Sequence, residues 1–133
     1  MNVLVDTCIW SMVLRRDQNI ENIYKNKMVE LINDFRVQMI GPIRQEVLSG
    51  VKSRAQFKKL KKYLSAFPDF PLQTQDFELA AEYYNINREK GIQGSNTDFI
   101  ICSISYRYQL PIYTTDNDFK LYSNNIPILL LKV

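Results

Sequence analysis

At 133 residues, with 17 basic against 14 acidic side chains, the chain is long enough to bury a core without disulfides or a structural metal. Its net charge of +3 is compatible with a polyanionic partner but too small to argue for one. It has no histidine, which excludes the commonest general base, the Ser-His and Cys-His nucleophile pairs and histidine-based zinc sites.

The first predicted element is a strand at about residues 2 to 5, running straight into Asp6. Asp6 or Thr7 then caps a helical or turn segment through Leu14, and a polar interval follows. Ile20, Ile23, Tyr24, Met28, Leu31, Ile32 and Phe35 recur at spacings of three and four, which predicts an amphipathic helix. Val37 to Ile40 reads as a second strand. After Gly41-Pro42, the stretch PIRQEVLSG has a proline suited to a first helical turn and a glycine suited to a helix end. Glu46 lies along that helix, with Arg44 nearby.

Residues 53 to 67 place Phe57, Leu60, Leu64 and Phe67 on one stripe, with Lys58, Lys59, Lys61 and Lys62 mostly elsewhere. Pro68 and Pro71 bracket a turn or short strand, and residues 75 to 90 read as helix. Asn96 or Thr97 caps the next helix, which puts Asp98 in its first turn. The strand PIYTT, a turn and short helix over 116 to 123, and a last strand IPILLL follow. Cys8 and Cys102 form neither a C-x-x-C pair nor a zinc spacing, and are expected as small buried apolar groups in a reduced, cytoplasmic chain. Neither a signal peptide nor a membrane span is expected.

Helices separating short apolar strands indicate an α/β sandwich around a mainly parallel sheet, where ligands bind beyond the carboxyl ends of the strands. Asp6 and Asp116 fall at such ends, and Asp98 opens a helix leading to the same edge. Each acid alone has a plain reading. Asp6 is a helix cap, Asp98 a first-turn carboxylate favoured by the helix dipole, Asp116 and Asp118 turn residues, and Glu46 a solvated surface residue. Brought to one rim they would repel one another and need a cation, and oxygen donors without histidine or thiolate match Mg²⁺ or Mn²⁺. Such an ion activates water and stabilises charge on a phosphate, so phosphodiester hydrolysis is the expected reaction.

The segments VLVDTCIW, QEVLSG, SNTDFIICSIS and IYTTDNDF, in that order and at these separations, resemble the PIN-domain nucleases. The resemblance spans essentially the whole chain, as one domain over residues 1 to 133. A chain this short is most similar to the VapC-type toxins of bacterial toxin-antitoxin pairs, which are Mg²⁺-dependent endoribonucleases held inactive by a partner antitoxin. It implies a PIN-like α/β/α sandwich in which Asp6, Glu46, Asp98 and Asp116 are the catalytic acids and hold the metal. Glu46 fits an E-x-L-x-G pattern with Leu48 and Gly50, and Asp118 either contacts a second metal or serves the turn. Thr7 and Thr114 are candidates for hydrogen bonds that orient the carboxylates. Cys8 departs from the family, where a small polar residue often follows the Asp-Thr pair.

The implied partners are an RNA substrate, with tRNA among the candidates, a cognate antitoxin, and a second copy of the chain in a homodimer. Arg54, Lys58, Lys59, Lys61 and Lys62 form a basic face suited to RNA phosphates, against the plain reading of a solvated lysine face. Three alternatives stay open: a PIN nuclease of RNA processing, one acting on DNA, and a catalytically weak PIN binding module.

Overall fold

Val3, Leu4 and Val5 are all fully buried, the continuous apolar run of a strand covered on both faces. They form β1 (Val3–Val5), the middle strand of a parallel sheet ordered β2-β1-β3, with β2 at Val37–Gln38 and β3 at Ile112–Tyr113. The register sets Val3 beside Val37 on one edge and Val5 beside Tyr113 on the other. The computed structural model describes residues 1–14 and 22–133. Among these, seven helices accompany the sheet: α1 (Thr7–Leu14), α2 (Ile23–Asn33), α3 (Gly41–Leu48), α4 (Arg54–Leu64), α5 (Thr74–Glu89), α6 (Asn96–Tyr108) and α7 (Asp118–Ser123). Parallel strands need crossovers, and these helices supply them. The fold is α/β, as the element order predicts.

The expected last strand is not one. Leu130 makes a single parallel bridge to Ile112, through Ile112 N–H to the Leu129 carbonyl and Leu131 N–H to the Ile112 carbonyl, both 2.8 Å. The residues before it cannot join the ladder, because Pro127 has no N–H and the Ile128 N–H turns back on the Ile126 carbonyl at 3.0 Å. The second strand is likewise short. Met39 leaves it to bridge Asp69 in the proline-bracketed segment, where the Phe70 N–H meets the Met39 carbonyl at 2.8 Å.

α2 is shorter than its apolar pattern, whose first member, Ile20, lies outside the described residues. Asn22 caps it by accepting from the Tyr24 N–H at 2.8 Å, and Met28 and Leu31 are its buried positions. Phe35 is not on its buried face. It is 91% exposed with φ of 56°, and sits where the Arg36 N–H bonds the Leu31 carbonyl and the Phe35 N–H bonds the Ile32 carbonyl. That is the left-handed helix stop usually given to glycine.

α5 and α6 pack with Tyr83 buried and Tyr84 edge-on to Phe99 at 5.6 Å, so these two adjacent tyrosines serve the core. Between the same helices Asp76 is fully buried, ion-paired to Arg107 and bonded to the Gln73 N–H at 2.7 Å. α6 is capped by Ser95, one residue before the expected Asn96 or Thr97, because both of those already lie inside the helix.

Candidate catalytic rim

The chain leaves β1 for β2 on one side and later returns to β3 on the other, so the connections diverge at the carboxyl ends of β1 and β3. In open α/β sheets that divergence leaves the crevice in which ligands bind. Asp6 is the first residue past β1, and its N–H still donates to the Tyr113 carbonyl at 3.0 Å. Its carboxylate is buried: Oδ1 accepts the Thr7 N–H and Oδ2 the Thr114 hydroxyl, each at 2.8 Å.

Cys8 is not the buried apolar group expected of it. It lies half-buried in the first turn of α1, with Sγ 3.4 Å from Asp6 Oδ2, 3.3 Å from the Thr114 hydroxyl and 3.4 Å from both the N–H and the hydroxyl of Thr115. Cys102 is fully buried, and burial raises its thiol well above the ordinary range.

Glu46 stands on α3 with its Oε1 accepting the Thr7 hydroxyl at 2.5 Å, so Thr7 links the first two acids. Arg44 does not neutralise it. That guanidinium is turned to Asp69 at 3.0 Å and to the carbonyls of Leu64 and Phe67, fastening the end of α4 to α3. Asp98 opens α6 with its N–H on the Ser95 hydroxyl at 3.1 Å, while Tyr122 donates its phenolic O–H to Oδ2 at 2.7 Å. Asp116 is placed by its N–H on the Thr114 hydroxyl at 3.0 Å, and its Oδ1 accepts the Asp118 N–H at 2.9 Å. Asp118 thus meets the rim through its backbone.

The electrostatics tie these positions together. Burial raises the Asp6 carboxyl above its ordinary pKa and Glu46 adds to the rise, against the hydrogen bonds from Thr114, Thr7 and Cys8. Burial likewise raises Asp98; the charges of Asp6 and Asp116 push the same way, and the bonds to Tyr122 and Ser95 oppose them. Among the described residues no three His, Cys, Asp or Glu side chains stand close enough to enclose one ion. The donor set still fits Mg²⁺ or Mn²⁺ in its chemistry, because it is made of carboxylate oxygens without histidine or thiolate. Mg²⁺ is ordinarily held by one or two carboxylates, with waters and substrate phosphate completing its shell.

Tyr122 and the residue that admits it were not among the expected site residues. A Cβ on Gly94 would stand 2.2 Å from the Tyr122 oxygen, 2.8 Å from Cζ and 2.9 Å from Phe99 Cε2, so only glycine leaves room for the ring to reach Asp98. Tyr122 follows Phe119 at helical spacing on α7 and shares its burial, and that spacing marks a core ring rather than a partner of Asp98.

The basic helix α4 keeps most of its surface in solvent. Of its apolar stripe only Leu64 is fully buried, and Phe57 remains 38% exposed. Lys58, Lys59, Lys61 and Lys62 make no ion pair among the described residues, and the helix packs beside α3, which carries Glu46.

The PIN domain family matches residues 3–125, nearly the full chain and every acid named above. The chain belongs to the PIN-domain family. PIN domains are nucleases. Solved structures share this PIN fold at low identity. VapBC2 from Rickettsia felis, bound to a DNA fragment from its promoter, is 19% identical with a TM-score of 0.76, covering 99% of this chain and 98% of that one. FitAcB from Neisseria gonorrhoeae is 15% identical with a TM-score of 0.72, covering 98% and 96%. VapBC-5 of Mycobacterium tuberculosis, a member of the VapBC family of toxin-antitoxin systems, is 18% identical with a TM-score of 0.67, covering 99% and 98%. No curated protein matches the chain. No helix among the described residues is long and apolar enough to cross a membrane.

Proposed function

We propose that this PIN-domain protein is a divalent-metal-dependent endoribonuclease, the toxin of a toxin-antitoxin pair. The observation that carries the reading is the placement of Asp6, Asp98 and Asp116 by the carboxyl ends of β1 and β3, near enough that the charges of Asp6 and Asp116 both disfavour the Asp98 carboxylate. A carboxylate held at a ligand crevice beside two others is costly unless a cation joins them.

In this reading Asp6, Asp98 and Asp116 hold Mg²⁺ or Mn²⁺, directly or through water, and Glu46 completes the ring or orients the attacking water. The bound ion supplies Lewis-acid stabilisation of the phosphate oxygens and a lowered pKa for the water. The chain's own part is positioning. Thr114 fixes Asp6 and the Asp116 backbone with one hydroxyl, Thr7 fixes Glu46, and Tyr122 fixes Asp98. Arg54 and the four lysines of α4 attract the RNA backbone. The full-length likeness to VapBC complexes supports a cognate antitoxin, and the same reading places the chain in the cytoplasm as a homodimer.

Purified protein incubated with single-stranded and folded RNA is expected to cleave it in Mg²⁺ or Mn²⁺ and to stop on chelation. Asp98→Asn should lose the activity. Cleavage that persists in chelator, or in the variant, rules the mechanism out.

A further inference from the structure

A cavity of about 500 Å³ adjoins the catalytic rim at Asp116. Its near wall is the loop after β3 and the start of α7, with Asp116, Asn117 and Lys120; its other walls are Tyr24 of α2 and the segment holding Leu130 and Lys132. All three walls are tied to β3. The Tyr113 hydroxyl donates to the Tyr24 carbonyl at 2.6 Å, the Tyr24 ring lies 6.5 Å from that of Tyr113, and Ile112 makes both backbone bonds to the terminal segment. The cavity is therefore shaped before any ligand arrives.

Its chemistry is divided. Lys120 and Lys132 are exposed cations with no ion pair among the described residues, while Leu130 and the Tyr24 ring are apolar or aromatic surface. A phosphate joined to a planar base has the same division, and single-stranded nucleic acid is bound by that pairing of cation and aromatic surface. The volume falls in the range of pockets that take a small organic ligand, which accommodates one nucleotide.

We propose that this cavity holds the nucleotide next to the cleaved bond of a single-stranded RNA, with Lys120 and Lys132 on its phosphate and Tyr24 and Leu130 against its base. The proposal rests on the nuclease reading and extends it, giving the substrate a fixed direction across the rim. Continuity with Asp116 favours RNA over an acidic protein segment, because an occupant here must reach the reacting carboxylates.

The test uses the full chain and an end-labelled single-stranded hexaribonucleotide, with binding followed by anisotropy in chelator over a range of salt, and cleavage followed separately in Mn²⁺. Lys120→Gln/Lys132→Gln should bind about tenfold more weakly and flatten the salt slope by about 0.7, the change for one phosphate no longer neutralised on a single strand. In cleavage the same variant should raise KM and leave kcat near wild type. Tyr24→Leu, which keeps the lysines, should weaken binding with the salt slope unchanged. Wild-type binding and KM in the double variant overturn the proposal while leaving the nuclease reading intact. Lysine-dependent binding without any cleavage by the wild type supports a nucleotide site and removes the nuclease reading. Tighter, lysine-dependent binding of the DNA of the same sequence overturns RNA as the occupant.

Discussion

Tyr122 is fully buried, yet its phenolic oxygen reaches Oδ2 of Asp98, 2.7 Å away, and donates to it. The bond favours the carboxylate over the acid, opposing the burial that raises Asp98. Tyr122→Phe removes the donor and keeps the ring, so the Asp98 pKa rises further. The acidic limb of the activity profile should move to higher pH, and stability should fall by about 1 kcal/mol. A pH-rate profile and a denaturant curve check both.

Gly94→Ala attacks the same contact from the other side. The new Cβ has no room beside the ring, and forced overpacking costs about 1 to 3 kcal/mol. Combining it with Tyr122→Phe removes the 2.2 Å clash with the hydroxyl but leaves the 2.8 Å approach to Cζ. The double variant should therefore lose less than the sum of the singles, a coupling that a double-mutant cycle on denaturant midpoints measures directly.

The raised carboxyls set the pH dependence of metal-free stability. Asp6 and Asp98 have folded pKa values above the unfolded one, so the folded state holds their protons more tightly than the unfolded state. Their favourable contribution is complete below the unfolded value of 3.8 and is lost as pH rises through the raised folded values. In chelator, Asp98→Asn should melt at or above wild type at neutral pH, and this advantage should shrink toward acid. Mn²⁺ should raise the melting temperature of wild type more than that of the variant. Equal metal shifts in both proteins would take Asp98 out of the metal set.

Removing Lys58, Lys59, Lys61 and Lys62 should flatten the salt dependence of RNA affinity by about 0.7 per lost phosphate contact. An unchanged slope, measured by anisotropy in chelator, assigns these lysines to solvent.

Phe35 holds a left-handed conformation that is costly for a residue with a Cβ, and 91% of it is exposed, so the side chain returns almost nothing. Phe35→Gly should raise stability by about 1 kcal/mol. Thermal and denaturant melting check it.

What could be read from the sequence follows from which forces are local. Asp6, Asp98 and Asp116 were legible because strand ends and first helical turns are marked by short-range pattern, and parallel topology then brings those positions to one rim. Glu46 was legible only through the E-x-L-x-G resemblance, since by itself it reads as a surface acid. Tyr122 was not legible: its use depends on a glycine 28 positions earlier leaving space for a ring, and space has no periodicity. The polar setting of Cys8 was hidden likewise, because three of its four contacts come from Thr114 and Thr115, on the far side of the sequence. The false last strand shows the converse. A β-prone composition cannot report that Pro127 and the fold-back at Ile128 withhold the N–H groups a ladder needs.

Asp6 is bonded twice to the chain at β3, through its own amide to the Tyr113 carbonyl and through its carboxylate from the Thr114 hydroxyl. The final rung of the central strand pair and the innermost contact of the rim are therefore one residue. Hydrogen exchange at the Asp6 amide reports on both at once, because opening that terminal rung also frees the residue whose carboxylate Thr114 holds. The position of Asp6 against Thr114, and through it the Asp116 backbone, is thus set by the pairing of β1 with β3.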